Sequence, residues 1–473
     1  MTLLKRYYLL LLALVVTGFS GCTDQWEEHN ELRETVLGEN VLQQIQANPN
    51  LSKFHELLVS TGYAEVVQGS KTYTVWAPSD QALAAVDQAL LNDPVKLKAF
   101  VANHISNQRY LAGQSSQRVK MLSGKYLIWE ADKLDGAAIE TATANRYAGN
   151  GVVHVLQAAV LPRQNIWEYV QSSTLASRQA AFLNSLNFTF FDPNTAEVDH
   201  IDPATGEPVY KPGTGFSTRN RFFERVHNIA NEDSLYTFIL LTDGAFDTEL
   251  NELKPYFQSP VNADSIASFH LVKDLAFRGL ILPENLPDTL LSATNVKVPI
   301  DKNAIVQTIR TSNGIVYVMN KVDFALKYKL PAFLIEGENA TGFSRNDIDI
   351  RIHRRYREWA SNLLDIRVRE HGTARLHIWY QVNGMYSTKY KVYWRAVNDF
   401  TTQDFQQRLA IGLPDAGSFP YREVGLNNFE EVLLGEITIS EYGVQDFYLV
   451  GANSTNNALN PLVLDYLKLV PVL

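Results

Sequence analysis

Two copies of the same ordered motifs constrain the fold of this chain more than any other sequence feature. Residues 73–80 predict a short buried strand that turns into the start of a helix, and residues 150–156 predict a turn into a β-branched strand. The same order recurs at residues 236–243 and 313–319, and the separation between the two motifs is identical in both copies. Matching motifs at matching spacing indicate an internal duplication of one structural unit.

A third motif lies between the outer two in each copy, at residues 100–105 and again at residues 268–272. In the first copy, the three motifs resemble the characteristic motifs of the fasciclin domain in order and spacing. The resemblance implies two fasciclin-type α/β domains in tandem. We assign the first to residues 40–163 and the second to residues 164–324.

The second copy departs from the pattern at one motif, because Leu240 and Leu241 stand where the first copy has Ala77 and Pro78. It is therefore a divergent fasciclin-type copy. It also contains a long polar insertion near residues 190–220. Since loops of this length are uncommon in compact domains, we expect either an ordinary mobile loop or a surface for a partner.

Five polar residues occupy motif positions in the two copies: Asp80, His104, His154, Asp243 and His270. An aspartate at a helix start can satisfy free backbone amides, so we expect helix capping at Asp80 and Asp243 rather than acid catalysis. A histidine beside apolar strand residues is more often a hydrogen-bonded core residue than a ligand or a base. The resemblance to fasciclin domains implies structural hydrogen bonding at His104 and His270, and we assign His154 a structural role too.

The pattern changes after Pro331 to short alternating strands joined by tight turns. Residues 375–382 alternate between apolar and polar positions, an Asn-Gly pair follows as a strong hairpin signal, and residues 388–395 alternate again. Many short alternating strands predict an all-β sandwich or jelly roll. We assign this sandwich to residues 325–473. The predicted fold class is therefore α+β multidomain, with two fasciclin-type α/β domains followed by the sandwich.

The two ends of this third region carry a second resemblance. Residues 333–340 and 464–471 are similar to the first and last strands of galactose-binding-like carbohydrate modules. In such modules an opening Glu-x-Glu and a closing Asp often build a structural calcium site, which implies calcium ligands at Glu336, Glu338 and Asp465. Calcium takes several oxygen ligands, and these carboxylates could supply some of them. The alternative is that they are simply solvated on edge strands.

Aromatic residues are dense on the predicted hairpin of the third region. Trp379 and Trp394 are the first candidates for stacking on a sugar ring, because indole offers the largest flat face, and Tyr380 and Tyr390 are further candidates. Aromatic residues are also normal sandwich core. Core packing is therefore the default interpretation for any one of them.

The N-terminus predicts export and lipid anchoring. Residues 1–21 combine two basic residues, a short apolar run and small residues, as in a secretory signal peptide. Residues 19–22 resemble a bacterial lipobox, which implies acylation of Cys22 and insertion of its acyl chains into outer-membrane lipid. The acidic tether at residues 22–39 resembles the signal that directs lipoproteins of Bacteroidota to the cell surface. The expected location is the outer membrane, with the protein exposed at the cell surface.

Charge and motif content argue against two function classes, although missing motifs do not exclude an unfamiliar active site. The chain has 51 acidic against 42 basic residues, and its basic cluster at residues 351–355 is short. Binding to nucleic acid depends on many clustered cations, so we exclude nucleic acid as a partner. The sequence has no nucleophile elbow, zinc-protease motif, phosphate-binding loop or Cys-x-x-Cys motif, and we do not expect an enzyme.

Two binding functions remain. Lipoproteins that resemble this one often accompany the porin and lipoprotein pairs of starch-utilisation-type importers, which favours a glycan-binding accessory subunit of an importer complex. The alternative is adhesion, in which the fasciclin domains bind a protein or matrix partner.

Overall fold

The computed structural model describes residues 38–345, 347 and 351–473. The predicted signal peptide, the predicted lipidation site Cys22 and nearly all of the predicted tether lie outside the described residues. Within the described ranges, no helix is long and apolar enough to cross a membrane.

All α-helices in the described ranges precede the first strand of the C-terminal region. In chain order they are α1 (Val41–Gln46), α2 (Ser52–Ser60), α3 (Tyr63–Gln68), α4 (Asp80–Ala84), α5 (Gln88–Leu91), α6 (Pro94–Ala102), α7 (Ile166–Ser172), α8 (Ser177–Ser185), α9 (Arg221–Arg225), α10 (Asp243–Leu253), α11 (Ala263–Val272) and α12 (Leu326–Lys329). Short 3₁₀ helices lie at Pro49–Leu51, Thr141–Thr143, Lys254–Phe257, Pro283–Asn285, Lys302–Ala304 and Gly337–Asn339.

Strands occur throughout the chain and make up the regular structure of its last third. They are β1 (Tyr73–Pro78), β2 (Ile105–Ser106), β3 (Gln117–Lys120), β4 (Tyr126–Glu130), β5 (Lys133–Leu134), β6 (Ala137–Ala138), β7 (Arg146–Ala148), β8 (Gly151–Leu156), β9 (Asn187–Phe191), β10 (Val198–Ile201), β11 (Pro208–Tyr210), β12 (Phe216–Asn220), β13 (Tyr236–Leu241), β14 (Ala276–Arg278), β15 (Thr289–Leu291), β16 (Lys297–Pro299), β17 (Ile305–Thr311), β18 (Gly314–Met319), β19 (Phe333–Glu336), β20 (Gly342–Phe343), β21 (Arg351–Tyr356), β22 (Leu364–Arg369), β23 (His377–Met385), β24 (Lys389–Arg395), β25 (Phe405–Ile411), β26 (Arg422–Val424), β27 (Val432–Thr438), β28 (Gly443–Gly451), β29 (Leu462–Leu464) and β30 (Tyr466–Pro471).

The chain divides into two compact units. The first contains the described residues up to Gln171 together with the short segments Ile229–Tyr236 and Arg310–Ile315, and the second contains the remainder. Both short segments come from the region assigned to the second predicted domain. The division into domains at 40–163, 164–324 and 325–473 stays a prediction.

The first unit is organised around a four-stranded sheet of order β2-β1-β8-β7. Strands β1 and β8 are parallel and buried at every residue, which explains why both are continuously apolar or β-branched. Successive residues of a strand point to opposite faces, so Val75 and Trp76 enter different cores. Val75 packs with the helical residues Phe54 and Phe100. Trp76 packs with Trp129 of the small sheet β3-β4-β5-β6.

Ion pairs secure the short segment that precedes β13 to the rest of the first unit. Lys125 Nζ lies 2.7 Å from carboxylate oxygens of both Glu168 and Glu232. Lys120 Nζ lies 2.6 Å from Asp233. The side chains of Lys125 and Glu232 are largely buried, so this cluster is part of the unit rather than a solvated surface contact.

The second unit contains a sheet with the same order of equivalent strands, β14-β13-β18-β17. Its central strands β13 and β18 are buried at every residue, as are β1 and β8. The duplication predicted from motif spacing is thus present in the fold. The predicted fold class, α+β with two similar α/β parts and a large β portion, is confirmed.

The polar insertion near residues 190–220 is not a structureless loop. It forms two antiparallel hairpins, β9 with β12 and β10 with β11. The rings of Tyr210 and Phe216 each lie 5.2 Å from that of Phe191, and the Arg219 guanidinium lies 3.3 Å from the ring centroid of Phe190. The expectation of an ordinary loop was wrong because cross-strand aromatic contacts stabilise strands between turn-rich segments.

The C-terminal region is an all-β sandwich. Its sheets have the orders β19-β30-β24-β27, β20-β23-β28-β25-β26 and β21-β22-β29, with antiparallel pairing throughout. Alternate residues of the long strands are buried, including Tyr380, Trp394, Leu409, Phe447 and Leu469. The alternation read from the sequence therefore locates the core of this region.

Candidate functional site

Asp80 and Asp243 cap helices that are distant from them in sequence. The carboxylate of Asp80 accepts hydrogen bonds from Ser52 Oγ at 2.6 Å and from the backbone N–H of the next residue at 2.9 Å. Asp243 accepts the same two bonds from Ser177 Oγ at 2.6 Å and from the following N–H at 2.8 Å. Both aspartates therefore cap α2 or α8, which have no side-chain cap of their own. They do not cap the helices that they begin.

An asparagine holds together three segments in each copy, a role that the sequence analysis missed. Asn150 Oδ1 accepts the backbone N–H of Val41 at 2.8 Å, and its Nδ2 donates to the carbonyls of Val67 and Gly69. Asn313 makes the equivalent set of one accepted and two donated bonds. The Asn-Gly pair at each position had indicated only a turn.

The glycine after each asparagine is required by close backbone approach. A Cβ atom on Gly151 would lie 2.0 Å from the carbonyl oxygen of Tyr73, and one on Gly314 would lie 2.0 Å from that of Tyr236. Any side chain at either position would therefore push the central strands apart.

His104 and His154 are neutral core residues with both ring nitrogens in use. His104 Nε2 accepts the N–H of Val160 at 3.1 Å, and Nδ1 donates to the carbonyl of Phe100 at 2.9 Å. Burial lowers the pKa of His104 to about 4. His154 donates to the carbonyl of Tyr110 at 2.9 Å, and burial lowers its pKa as well. Neither histidine is placed as a metal ligand or a base.

His270 does not occupy the position of His104. In the first copy the carbonyl of His104 accepts the N–H of Trp76, and in the second copy the carbonyl of Leu275 accepts the equivalent bond from Ile239. His270 lies one helical turn earlier, where its Nε2 is 3.2 Å from the hydroxyl of Tyr442. Burial, with repulsion from neighbouring lysines, lowers its pKa to about 3. Its hydrogen bond therefore joins α11 to the sandwich, so His270 makes a structural hydrogen bond but not the one that His104 makes.

A buried ion pair replaces the neutral polar core in the second copy. Asp274 accepts a 2.6 Å hydrogen bond from Ser292, as Asn103 accepts one of 3.0 Å from Ser123 in the first copy. Asp274 additionally pairs with Lys329 at 2.6 Å, and the two side chains are at most 1% exposed. Burial opposes ionisation of Asp274, but the Lys329 ammonium holds its pKa below the usual value.

Three of the four aromatic residues predicted to bind sugar belong to the sandwich core. Tyr380, Tyr390 and Trp394 are at most 2% exposed, so none of them can present a face to a ligand. The Tyr380 hydroxyl donates to the carbonyl of Gly337 at 2.9 Å. Trp379 is partly exposed on β23, and it does not line the groove described below. The prediction was wrong for the three buried residues because alternation could not show which face of each strand is inward.

The predicted calcium ligands lie close together but do not form a complete set. Glu336 Oε2 and Glu338 Oε2 are buried without a hydrogen-bond partner, and burial raises the pKa of Glu336, with repulsion from Glu338 adding to it. Asp465 pairs with the guanidinium of Arg395 and accepts the backbone N–H of Ser361, whose hydroxyl donates to Glu336. In the described ranges, no three acidic, histidine or cysteine side chains converge as a metal site. Two orphan carboxylate oxygens fit a hard cation, and the role of Asp465 as a third ligand stays a prediction.

A groove beside the edge of the five-stranded sheet offers a concave surface lined by polar and aromatic side chains. Two adjoining cavities of about 380 and 500 Å³ share Tyr421 and Asn453 in their linings. Gln406 on β25 lies directly opposite Glu423 on β26, and Asp404 lies two residues before Gln406. Since residues two apart share a face of a strand, these polar groups form one wall of the groove.

The aromatic residue in this groove is held in place before any ligand arrives. The Tyr421 hydroxyl donates to the carbonyl of Gly451 at 3.1 Å, and the Arg408 guanidinium lies 5.4 Å from the ring centroid. Arg408 is itself fixed by hydrogen bonds to the carbonyls of Pro414 and Ala416. A rigid ring between carboxylate and amide groups suits a sugar, which offers an apolar face and many hydroxyls. The sequence analysis missed Tyr421 because the bend of the preceding loop brings it to the groove.

Comparison with protein families places part of this chain. Residues 49–162 match the family model of the Fasciclin domain, which confirms that assignment for the first copy. A search of curated proteins gave no match.

Solved structures resemble both parts of the fold. A FAS1 domain pair from the insect cell adhesion molecule Fasciclin I is 15% identical, with 59% of this chain and 98% of that chain covered and a TM-score of 0.23. A GH26-CBM35 β-(1,4)-mannanase from Podospora anserina is also 15% identical, with 30% and 28% covered and a TM-score of 0.22. A carbohydrate-binding module, CBM36, in complex with calcium and xylotriose is 12% identical, with 29% and 98% covered and a TM-score of 0.22. This chain thus spans about a quarter of the mannanase.

Proposed function

We propose that this protein is a non-enzymatic binding protein whose C-terminal sandwich captures a glycan in the Tyr421 groove. The observation that carries the proposal is the immobilised tyrosine ring at the junction of two cavities lined by carboxylates and amides. Carboxylates and amides accept and donate hydrogen bonds to hydroxyls, and a ring fixed in advance binds without loss of side-chain entropy. The two fasciclin-type copies would then support or position the sandwich.

A glycan array tests this proposal directly. The whole chain should bind one class of glycan, and Tyr421→Ala should weaken that binding about tenfold or more, which corresponds to roughly 1.4 kcal/mol. Tyr147→Ala is the matched control, because Tyr147 is 42% exposed and lies in the first unit. Equal binding by the parent and by Tyr421→Ala would remove the groove as the site. Absence of binding to every glycan, with capture of a protein partner, would favour adhesion through the fasciclin-type copies.

The proposed setting is the outer face of the outer membrane, with acylated Cys22 as the anchor and an importer complex as the partner. The motif at the N-terminus supports this setting. Cys22→Ala should release the protein from membranes or leave its signal uncut. Normal processing together with unchanged membrane retention would contradict lipid anchoring.

We also propose that the sandwich takes up a calcium ion at Glu336 and Glu338. The ion would neutralise two carboxylates whose Oε2 atoms are buried without a hydrogen-bond partner. A ligand that binds only the folded state raises the melting temperature as its concentration increases. Calcium should therefore raise the melting temperature of the whole chain, and Glu338→Gln should abolish this response. A melting temperature that does not respond to calcium would refute the site.

A further inference from the structure

The hairpin of β21 and β22 places basic side chains directly opposite one another on one face. Arg351 pairs across the strands with Arg369, and His353 pairs with Arg367. Like charges at directly opposite positions destabilise an antiparallel pair. Two basic side chains at opposite positions are tolerated when a nearby anion neutralises their charge.

Three successive cross-strand pairs form a row on this face, and the pairs at its two ends are neutralised within the protein. Glu370 lies 2.8 Å from Arg351 and 3.4 Å from Arg369. At the other end, Arg355 forms a buried two-point ion pair with Asp365, the residue opposite it, and a further pair with Asp399 at 2.6 Å. Only the central pair of the row lacks a carboxylate among the described residues.

The central pair has polar atoms that no described residue satisfies. His353 Nε2 and Arg367 Nε are buried and have no hydrogen-bond partner. Burial and repulsion from Arg355 and Arg369 lower the pKa of the Arg367 guanidinium, and burial together with the neighbouring arginines lowers the pKa of His353.

An aromatic ring lies beside the central pair. The guanidinium carbons of Arg355 and Arg367 are each 5.1 Å from the ring centroid of Phe400. The ring therefore limits the positions that the Arg367 side chain can take. The central pair thus combines a planar cation, an imidazole nitrogen and an adjacent apolar ring.

We propose that His353 and Arg367 form a binding site for the carboxylate or sulfate group of an acidic glycan. The planar guanidinium matches the geometry of a carboxylate or sulfate. Nucleic acid is disfavoured as the occupant, because its binding requires several free cations along a strand and the flanking arginines are already paired. The choice of a glycan depends on the proposed function of the sandwich, whereas the requirement for an anion comes from the hairpin alone.

Affinity electrophoresis of the whole chain tests this site. Gels would contain polygalacturonate as the carboxylate probe, chondroitin sulfate as the sulfate probe, or starch as a neutral probe. We expect one of the two anionic polymers to retard the parent, and Arg367→Gln to weaken that binding at least tenfold. Arg422→Gln is the control, because it removes the same charge from an exposed position on β26 of the same sandwich.

Two outcomes would overturn the proposal: no retardation of the parent by either polymer, or equal loss of binding in the two variants. Melting temperature provides a second readout, since Arg367→Gln removes an unneutralised cation and should not lower it. A lower melting temperature would show that the arginine is satisfied within the fold, against the proposal. The groove is tested separately by Tyr421→Ala. Failure of that test with Arg367-dependent retention of a polyanion would refute the groove and leave this site standing.

Discussion

The two fasciclin-type copies share their hydrogen-bonded framework but differ in the polar centre of their cores. Asp80 and Asp243 accept matching pairs of bonds. In the first copy the core holds a neutral histidine, His104, whereas in the second it holds the buried ion pair of Asp274 and Lys329. The framework depends on backbone geometry, while the core needs only that each buried polar group has a partner.

This difference shows how a duplicated fold can diverge without losing its topology. Capping groups and close-approach glycines meet the backbone, which has the same path in both copies, so no other residue type replaces them easily. A buried side chain can be exchanged when a second side chain changes with it. The partner of Asp274 is Lys329 on α12, which follows the second copy in the chain, so the exchange also ties this following segment to the core of the copy.

The largest expected effect comes from breaking the ion pair of the second copy. Lys329→Met leaves the Asp274 charge buried and uncompensated, and it should cost about 3–5 kcal/mol of stability. Hydrogen exchange measured on peptides from β13 and β18 should show the loss, with β1 and β8 unaffected. Lys327→Met, an exposed position on the same helix, is the control.

A double variant sharpens this first prediction. Asp274→Asn combined with Lys329→Met recreates the neutral group that Asn103 provides in the first copy. The double variant should recover a large part of the protection of β13 and β18 against hydrogen exchange that Lys329→Met loses. If Lys329→Met alone changes the protection by less than about 1 kcal/mol, the ion pair does not stabilise the core as we infer.

The next effect concerns the pH dependence of the first copy. The pKa of His104 is about 4 in the folded chain, below the ordinary value of 6.5. Between pH 4 and pH 6.5, therefore, the unfolded chain binds a proton at this histidine and the folded chain does not. The resulting stability is complete above pH 6.5 and is lost as the pH falls through about 4, with a total of about 3 kcal/mol.

Exchange protection of β1 and β8 between pH 4 and pH 7 measures this dependence. His104→Gln should reduce its slope, whereas His200→Gln, at an exposed position in the insertion, should leave it unchanged. An unchanged slope in His104→Gln would show that other groups cause the acid sensitivity. Equivalent strands of the second copy should not respond to His104→Gln.

The smallest effect tests what the copies share. Asp80→Ala and Asp243→Ala should each cost about 0.5–2 kcal/mol, because each removes a cap from α2 or α8. The two losses, measured by exchange on the strands of each copy, should be similar. Losses that differ by more than about 1 kcal/mol would show that the two frameworks are not equivalent. Asp87→Ala removes the cap that Asp87 provides to α5, the helix that directly follows it. The stability loss in this variant can be compared with the losses from the two remote caps.

Most of the fold could be predicted from the sequence because it depends on local patterns. Motif spacing identified the duplication, and alternation identified the sandwich. The polar insertion was not predictable in the same way, because its hairpins are stabilised by contacts such as Phe191 with Phe216, which lie far apart in sequence.

The candidate sites were less predictable because they depend on which strands become neighbours. The sequence drew attention to Trp394, which is core, and not to Tyr421, which lines the groove. Arg351 to Arg355 was visible as a short basic run, but the opposition of His353 and Arg367 follows only from the register of β21 with β22. Single-strand patterns contain no information on that register.

The parallel pairing of β1 and β8 has a mechanical consequence. The chain enters β1 at Tyr73, which lies beside Gly151, and it leaves β8 at Leu156, which lies beside Pro78. A pull on the two ends of this copy would act at opposite ends of the strand pair, so its hydrogen bonds would be loaded together in shear rather than opened one at a time. Resistance to such a pull would depend on the rate of forced unfolding rather than on equilibrium stability. A protein tethered at one end and holding a ligand at the other would transmit drag from flowing liquid through this strand pair.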